Sequence, residues 1–206
     1  MPLMLDHLAL CSPSLEAGAA HLENVLGVPL SEGGKHAHMG THNRLLGVGS
    51  DLYLEVIAID PQAPTPAHPR WFDLDSFKGA PRLTNWVARS DDLAQAVARA
   101  PAGIGVPTAL ERGDLRWEMA VPADGKLPFD GAYPALIHWS GRRHPAGALP
   151  ESGVRLHTLR VFHPDAEALR AALGAQLDDP RVDILQGARP ALEAQFDTPA
   201  GRRILR

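Results

Sequence analysis

The chain is poor in features that would each indicate a particular class of protein. It has a single cysteine, Cys11, among 206 residues, so an internal disulfide is excluded. No apolar run approaches the length of a membrane span, and the chain does not open with a basic segment followed by an apolar core. We therefore expect a cytoplasmic protein that is not membrane-bound.

The chain also lacks a strong excess of acidic or basic residues. The formal net charge is -4, and acidic and basic residues are interspersed rather than gathered into a basic stripe or a polybasic patch. Such a distribution argues against nucleic acid and membrane surfaces as partners. The chain also has no G-x-S-x-G elbow, no P-loop and no G-x-G-x-x-G sequence, so covalent catalysis has little support.

What the chain does contain is a carboxylate inside an apolar strand. The run Tyr53-Leu54-Glu55-Val56-Ile57 has the composition of a buried strand, with Glu55 at its centre. An ionised group is rarely retained there unless it is paired, hydrogen-bonded or bound to a metal. Strand alternation places Tyr53, Glu55 and Ile57 on one face, so a partner for Glu55 is expected on that face.

The segments around Glu55 predict one supersecondary unit. Residues 4–10 form a predicted strand, and residues 13–25 a helix that is capped by Ser12 or Ser14. Further strands are predicted near 28–31, at 43–48 and at 52–59. The stretch 33–43, rich in glycine and histidine, is predicted to be a loop. The order is βαβββ.

These residues also resemble a known family. Leu5-Asp6-His7-Leu8, the 33–43 loop and Tyr53-Leu54-Glu55 are similar to the first module of a glyoxalase-like domain of the vicinal oxygen chelate superfamily, closely over about sixty residues. The resemblance implies an α+β fold in which paired βαβββ modules form a cupped sheet. It also implies a divalent metal ion inside the cup, with His7 and Glu55 as ligands and Glu55 as the catalytic residue.

A degenerate second module is predicted over residues 82–140, after a proline-rich connector. Its strands lie at 82–89, 106–111, 115–121 and 133–140, with a helix opening at 90–92. Aligned on the first module, Asn85 matches His7 and His138 lies near the position of Glu55. The resemblance therefore implies Asn85 as a substrate contact and His138 as a metal ligand, subject to strand register. The glyoxalase-like domain is expected to span residues 1–150, with modules 4–60 and 82–140.

The remaining residues, 151–206, predict a βαββ extension. Its strands are expected at 154–161, 182–185 and 190–196, and its helix at 164–173. This unit is similar either to a truncated copy of the module or to a C-terminal extension that caps or widens the cup.

Three further residues are candidates for substrate contact. His36 and Asn43 are predicted to hold the turn or line the mouth of the cup. Trp71 lies in the connector beside Phe72, where an aromatic lid over an organic substrate is one interpretation and core packing the other. Independent zinc binding by the cluster of His36, His38 and His42 is not expected, because a glycine-rich loop does not preorganise a metal.

Two functions stay open at this point. One is a metal-assisted enzyme of lyase, isomerase or dioxygenase type, in which the cation holds two neighbouring substrate oxygens and Glu55 moves a proton. The other is a non-catalytic protein of the bleomycin-resistance type that sequesters a small molecule. A catalytic metal needs about three protein ligands, which His7 and Glu55 supply only with His138. A homodimer is left open by the sequence.

Overall fold

The computed structural model describes residues 2–141 and 143–206. Within them the chain forms two β-sheets and three α-helices. The strands are β1 Met4–Cys11, β2 Ser31–His36, β3 Thr41–Gly47, β4 Tyr53–Ile59, β5 Arg82–Arg89, β6 Val106–Arg112, β7 Leu115–Val121, β8 Ala135–Trp139, β9 Arg155–His163, β10 Val182–Gln186, β11 Ala191–Thr198 and β12 Gly201–Leu205. The helices are α1 Leu15–Leu26, α2 Leu93–Arg99 and α3 Ala166–Leu173.

The first eight strands form one sheet with the order β2-β3-β4-β1-β5-β8-β7-β6. In each half the first strand pairs in parallel with the fourth, β1 with β4 and β5 with β8. The two halves join through the antiparallel pair β1 and β5 at the centre. This arrangement confirms the predicted pair of βαβββ modules.

The sheet curls until its two edge strands meet. Arg112, the last residue of β6, lies 3.2 Å from the Nε2 atom of His36, the last residue of β2. The rings of His36 and Trp117 are 6.2 Å apart. Because β2 and β6 stand at opposite ends of the strand order, these contacts require a strongly curled sheet, and the predicted cup is confirmed.

Helix α1 covers the convex face behind β4. It begins after Ser14, whose hydroxyl accepts a hydrogen bond from the Ala17 amide, and it ends at Gly27, which has a φ of 73°. A Cβ atom on Gly18 would lie 2.4 Å from a methyl group of Val56, so only glycine allows this close approach. With Val56 fixed against the helix, strand alternation turns Glu55 into the cup.

The stretch 33–43 is a hairpin and not the predicted loop. Strand β2 runs from Ser31 to His36 rather than near 28–31, and the turn is confined to residues 37–40. The pairing of β2 with β3 shifts between Glu32 and Lys35. Glycines permit this bulge, since a Cβ on Gly33 would lie 2.2 Å from the carbonyl oxygen of Asn43.

The C-terminal unit has one strand more than predicted. Strand β12 pairs antiparallel with β11, from Thr198 opposite Gly201 to Ala194 opposite Leu205. Strand β12 was not predicted because it is an edge strand that contains two arginines and an exposed Ile204. The sheet order β10-β9-β11-β12 places the first strand in the interior, so the unit is not a copy of the module.

The C-terminal unit packs against the central strands. The amide of Leu3 donates to the Gln176 carbonyl at 2.5 Å, and the amide of Leu83 donates to the Arg206 carbonyl at 3.1 Å. Buried residues of both sheets belong to one continuous hydrophobic core. Within the residues described, no helix is both long and apolar enough to cross a membrane.

Candidate functional site

Two consecutive residues of β1 begin the site. The Nδ1 atom of His7 lies 2.6 Å from the Oδ1 atom of Asp6. Consecutive side chains of a regular strand point to opposite faces and do not meet in this way. Here the pairing of β1 with β5 shifts between Leu5 and His7, so Asp6 is the extra residue of a bulge. The bulge brings Asp6 and His7 into contact.

Asp6 is fully buried and accepts several hydrogen bonds. Its Oδ2 atom lies 3.0 Å from Trp139 Nε1 and 3.0 Å from His144 Nε2, and the Arg89 guanidinium is 3.7 Å away. Burial alone would raise the pKa of Asp6, but hydrogen bonds from His144 and His7 hold that pKa well below its usual range. Asp6 is therefore an ionised carboxylate in the protein interior.

His7 stands between two carboxylates. Its Nε2 atom lies 3.6 Å from Glu55 Oε2, opposite the bond to Asp6. Glu55 is buried, and its other oxygen accepts a hydrogen bond from Asn43 Nδ2 at 2.5 Å. The imidazole also stacks on the ring of Tyr53, with centroids 4.4 Å apart. The result is a line of Asp6, His7 and Glu55 with fixed side-chain orientations.

Asn43, His36 and Arg112 form the adjoining wall. Asn43 Oδ1 accepts from the Gly34 amide at 2.8 Å and from Arg112 at 2.9 Å. His36 Nε2 accepts from Arg112, because arginine only donates, so Nδ1 carries the proton that bonds Thr41 Oγ1 at 3.0 Å. Burial, together with the Arg112 charge, lowers the pKa of His36 to about 3, and the ring is neutral.

These groups enclose a cavity of about 30 Å³, which is roughly the volume of one water molecule. Aromatic and apolar side chains form the rest of its lining, namely those of Trp71, Phe72, Trp117, Met119, Ile137 and Trp139. Arg112 is the one fixed cation among the described lining residues. It forms no ion pair with a described carboxylate, and its hydrogen bonds go to His36 and Asn43.

The structure brings five of the predicted site residues together and leaves two elsewhere. His7, His36, Asn43, Glu55 and Trp71 all line the 30 Å³ cavity. Asn85 lines a neighbouring cavity of about 360 Å³, on the other side of Phe72.

His138 is not brought to the cup, which corrects its predicted place among the metal ligands. In β8 the side chains of Ile137 and Trp139 face the cavity, so the residue between them faces the other way. His138 Nδ1 lies instead 2.9 Å from the Ser90 carbonyl oxygen. The predicted and observed registers of β8 differ by one residue, and in a β-strand a shift of one residue turns the side chain to the opposite face.

The donor set does not fit the metal centre that the resemblance implied. Over residues 2–141 and 143–206, no group of three or more His, Cys, Asp or Glu side chains is placed to hold a metal ion. His7 and Glu55 supply two donors, whereas a catalytic centre typically needs three. The nearby guanidinium of Arg112 adds a positive charge to the same cavity.

A groove of about 750 Å³ lies next to the cup. Arg89, His138 and His144 line it, and Trp139 lines both the groove and the small cavity. The Trp139 and His144 rings, 5.3 Å apart, stand between the two spaces and both contact Asp6. The groove shares the side chain of Trp139 with the small cavity and is a large space from which a ligand could approach His7.

Sequence reasoning missed Asp6, Arg112, Trp139 and His144 as parts of the site. Asp6 could have been found, because an aspartate in an apolar strand needs a buried partner for the same reason as Glu55 does. Arg112 gave no local indication, since it meets His36 only after the sheet has curled across 76 residues of sequence. His144 lies outside both predicted modules.

The chain is similar to one protein family and to several solved structures. Residues 5–177 match the model of a family described as a glyoxalase-like domain. A hypothetical protein from Staphylococcus aureus superposes with a TM-score of 0.65 at 14% identity, covering 92% of this chain and 88% of that chain. Methylmalonyl-CoA epimerase from Mycobacterium tuberculosis gives a TM-score of 0.45 at 19% identity, covering 68% and 88%. The methylmalonyl-CoA epimerase from Streptomyces coelicolor gives 0.42 at 13%, covering 68% and 97%.

No curated protein matches the chain. The Staphylococcus aureus structure supports the fold alone, because its sequence identity to this chain is low. The two epimerases are too distant in structure to bear on chemistry.

Proposed function

The chain belongs to the glyoxalase-like domain family, and on this premise we propose that its cup binds a small organic acid and transfers a proton on it. One observation carries the proposal. The line of Asp6, His7 and Glu55 ends in a buried cavity that also contains Arg112, a cation without a carboxylate partner among the described residues. A base and an anion-binding group thus face the same space.

Arg112 is the proposed anchor of the ligand. A guanidinium binds carboxylates through paired hydrogen bonds, and its charge is retained at every accessible pH. Its hydrogen bonds to Asn43 and His36, at 2.9 and 3.2 Å, fix the position of the guanidinium. Neither partner carries a negative charge, so these bonds supply no counter-ion. A ligand carboxylate would supply the missing negative charge.

Glu55 is the proposed base. Its Oε1 atom is held by Asn43 at 2.5 Å, while its Oε2 atom lies 3.6 Å from His7. In this role Glu55 removes a proton from a carbon next to a carbonyl group. His7 donates a hydrogen bond to the oxygen that gains negative charge, and for this step its ring carries a proton on Nε2 as well as on Nδ1. Asp6 acts through His7 by fixing the ring and its Nδ1 proton, so we regard Asp6 as a positioning residue.

The divalent ion expected from the resemblance has no part in this mechanism. His7 and Glu55 remain the two side chains that would contact such an ion, but the described residues offer them no third protein ligand. The Nδ1 atom of His7 is hydrogen-bonded to Asp6, and its Nε2 atom lies 3.6 Å from Glu55. Proton transfer by Glu55 needs only the groups already present.

The size of the cavity limits how a ligand can bind. A space of about 30 Å³ cannot hold an organic acid, so part of the lining must move. We propose that Trp139 and His144 give way, because they separate the cavity from the 750 Å³ groove. Both modules of the cup lie in one chain, so ligand binding requires no second copy, although a homodimer is compatible with it.

A second candidate is a non-catalytic binder that encloses a small molecule. The aromatic lining favours it. Trp71 and Phe72 stack with ring centroids 5.6 Å apart, and the rings of Trp117 and Trp139 lie tilted to each other with centroids 5.5 Å apart. Flat aromatic surfaces bind organic molecules without any chemical step. In that case Arg112 would set affinity and Glu55 would serve only as a hydrogen-bond acceptor.

Hydrogen exchange separates the two candidates. The protein is incubated in D₂O with pyruvate, acetoacetate or malonate, each of which has a C–H bond next to a carbonyl, and loss of the proton signal is followed by NMR. The enzyme predicts exchange above the buffer rate with at least one acid, an affinity lowered about tenfold in Arg112→Gln, and no exchange in Glu55→Gln. Arg116→Gln, an exposed arginine of β7, is the matched control.

Each result counts for one candidate. Binding without exchange, weakened in Arg112→Gln, would establish the binder. Exchange that persists in Glu55→Gln would remove Glu55 as the base. Failure of all three acids to bind to the folded protein would refute the organic-acid proposal.

A further inference from the structure

Tyr53 of β4 lies beside both proposed acid–base groups, and the proposed function gives it no task. Tyr53 pairs with His7 in the parallel register of β4 and β1, and their rings stack with centroids 4.4 Å apart and planes 15° from parallel. Tyr53 also lies two residues before Glu55, on the same face of β4. All three residues line the 30 Å³ cavity. Tyr53 is thus held against the two side chains on which the proton transfer depends.

The hydroxyl of Tyr53 is free to bind a ligand. Only 4% of the residue's surface is exposed, yet the hydroxyl forms no hydrogen bond with any described residue. Polar groups at this depth are usually hydrogen-bonded. The hydroxyl of Tyr133 is also unpaired, but the surrounding side chains enclose that atom completely, whereas they do not enclose the hydroxyl of Tyr53. A small molecule that enters the cup can therefore reach Tyr53.

The phenol of Tyr53 keeps its proton. Burial raises the pKa of Tyr53 well above its usual range, and the carboxylates of Asp6 and Glu55 raise it further. The charge of Arg112 acts in the opposite direction and does not outweigh them. These three charges belong to the cup, so the hydroxyl lies within range of the charged groups there. Tyr53 is therefore a donor in its resting state, whereas His7 must first carry a proton on Nε2.

The size of the cavity determines what such a donor can contact. A volume of about 30 Å³ is that of one water molecule, so the closed space fits a single ligand oxygen. His7, Tyr53 and Glu55 all border this space. The rest of a ligand must lie where the lining moves, but an oxygen placed in the existing cavity lies beside the imidazole, the phenol and the carboxylate together.

We propose that Tyr53 is a further catalytic residue, whose hydroxyl donates a hydrogen bond to the substrate oxygen that gains negative charge. This inference rests on the proposed function. When Glu55 takes the proton from carbon, the electrons of the C–H bond move towards the carbonyl group and leave the charge on its oxygen. The phenol proton stays on Tyr53 throughout, and Glu55 later returns a proton to the carbon. A fixed donor accelerates the step because its hydrogen bond is stronger in the transition state than in the bound substrate.

Exchange of the substrate C–H proton in D₂O measures this role. Tyr53→Phe keeps the ring and removes only the hydroxyl, so the exchange rate at saturating acid should fall about 100-fold, as it does when one such donor is lost. The Kd of the acid should change by less than about threefold, because the hydrogen bond strengthens only as charge develops. Tyr133→Phe is the matched control, since the chain has two tyrosines and the Tyr133 hydroxyl is enclosed. Its exchange rate should equal that of wild type.

NMR of the tyrosines themselves gives a measurement that does not depend on turnover. With ¹³C at Cζ, the full chain gives two signals, which Tyr53→Phe and Tyr133→Phe assign. Oxalate is the probe, because it carries negative charge on neighbouring oxygens as the enolate of pyruvate does. It should move the Tyr53 signal, leave the Tyr133 signal in place, and bind about tenfold more weakly to Tyr53→Phe than to wild type.

The two measurements separate failure of this inference from failure of the proposed function. Exchange by wild type that is equally fast in Tyr53→Phe, a Tyr53 signal that oxalate leaves unmoved, or absence of oxalate binding to the folded wild type would overturn the role of Tyr53. Absence of exchange by wild type would refute the proposed function, and a moved Tyr53 signal would then assign the hydroxyl to ligand binding alone.

Discussion

Asp6 and His7 are neighbours in sequence and share a hydrogen bond of 2.6 Å between Oδ1 and Nδ1. That bond exists because one unpaired residue interrupts the pairing of β1 with β5. The same bulge lets the other oxygen of Asp6 reach Trp139 and His144, which lie more than 130 residues further along the chain. A local irregularity of one strand thereby links the cup to the groove beside it.

Asp6→Asn should lower the free energy of unfolding by about 3 kcal/mol, the usual result of breaking a buried charged pair. The amide keeps the shape of the carboxylate but cannot accept every hydrogen bond that Asp6 accepts. Urea denaturation at pH 7 measures the change. Asp114→Asn is the control, since Asp114 pairs with Arg143 at an exposed surface and should cost less than about 1 kcal/mol. Equal effects of the two substitutions would contradict the central role of Asp6.

His36 should make the protein less stable in mild acid. Its pKa of about 3 in the folded state is below the usual 6.5, because it is buried beside Arg112, His7 and His42. The unfolded chain therefore takes up a proton that the folded chain refuses, and stability is lost as pH falls from about 6.5 towards 3.

Denaturation between pH 7 and pH 5 measures this loss, which His36 can contribute at up to about 1.4 kcal/mol per pH unit. His36→Gln should reduce the slope. His157→Gln, a half-exposed histidine near Asp197, should leave it unchanged. An unaltered slope in His36→Gln would show that His36 is not the group responsible.

Patterns of short range were sufficient to predict the modules. Alternation in β4 and the serine before α1 depend on neighbouring residues only, and both the Glu55 orientation and the Ser14 cap agree with the structure. The order of elements around them then followed from the repeat.

Features that depend on bulges and curling were not predictable in this way. The hairpin containing Gly33 depends on how closely a neighbouring strand approaches, and His138 differs from its expected place by one position of register. Arg112 joins the site only because the sheet edges meet. These facts concern pairs of strands, and no single segment encodes them.

Gly33→Ala should lower the free energy of unfolding by about 1 to 3 kcal/mol, as overpacking does. The added Cβ would lie 2.2 Å from the backbone oxygen and from the side-chain oxygen of Asn43. Because Asn43 holds Glu55, the variant should also lose affinity for any ligand of the cup.

Gly147→Ala provides the matched control, since nothing lies within 4 Å of its added Cβ. Its stability should stay within about 0.5 kcal/mol of wild type. Thermal or urea denaturation of both variants measures the difference in their stability. A Gly33→Ala protein as stable as Gly147→Ala would show that β2 can withdraw from β3 at little cost.

Metal content tests the composition of the cup directly. His7 and Glu55 are two donors without a third among the described residues, so we expect weak binding of Zn²⁺ or Ni²⁺ rather than a tight equimolar complex. After incubation with each ion and dialysis, elemental analysis should find well under one equivalent in wild type. Glu55→Ala should then retain about as much metal as wild type does, and His42→Ala likewise.

One equivalent in wild type that disappears in Glu55→Ala but not in His42→Ala would prove that the cup completes a metal centre with solvent or a rearranged side chain. The proton-transfer mechanism would then have to be rebuilt around that ion.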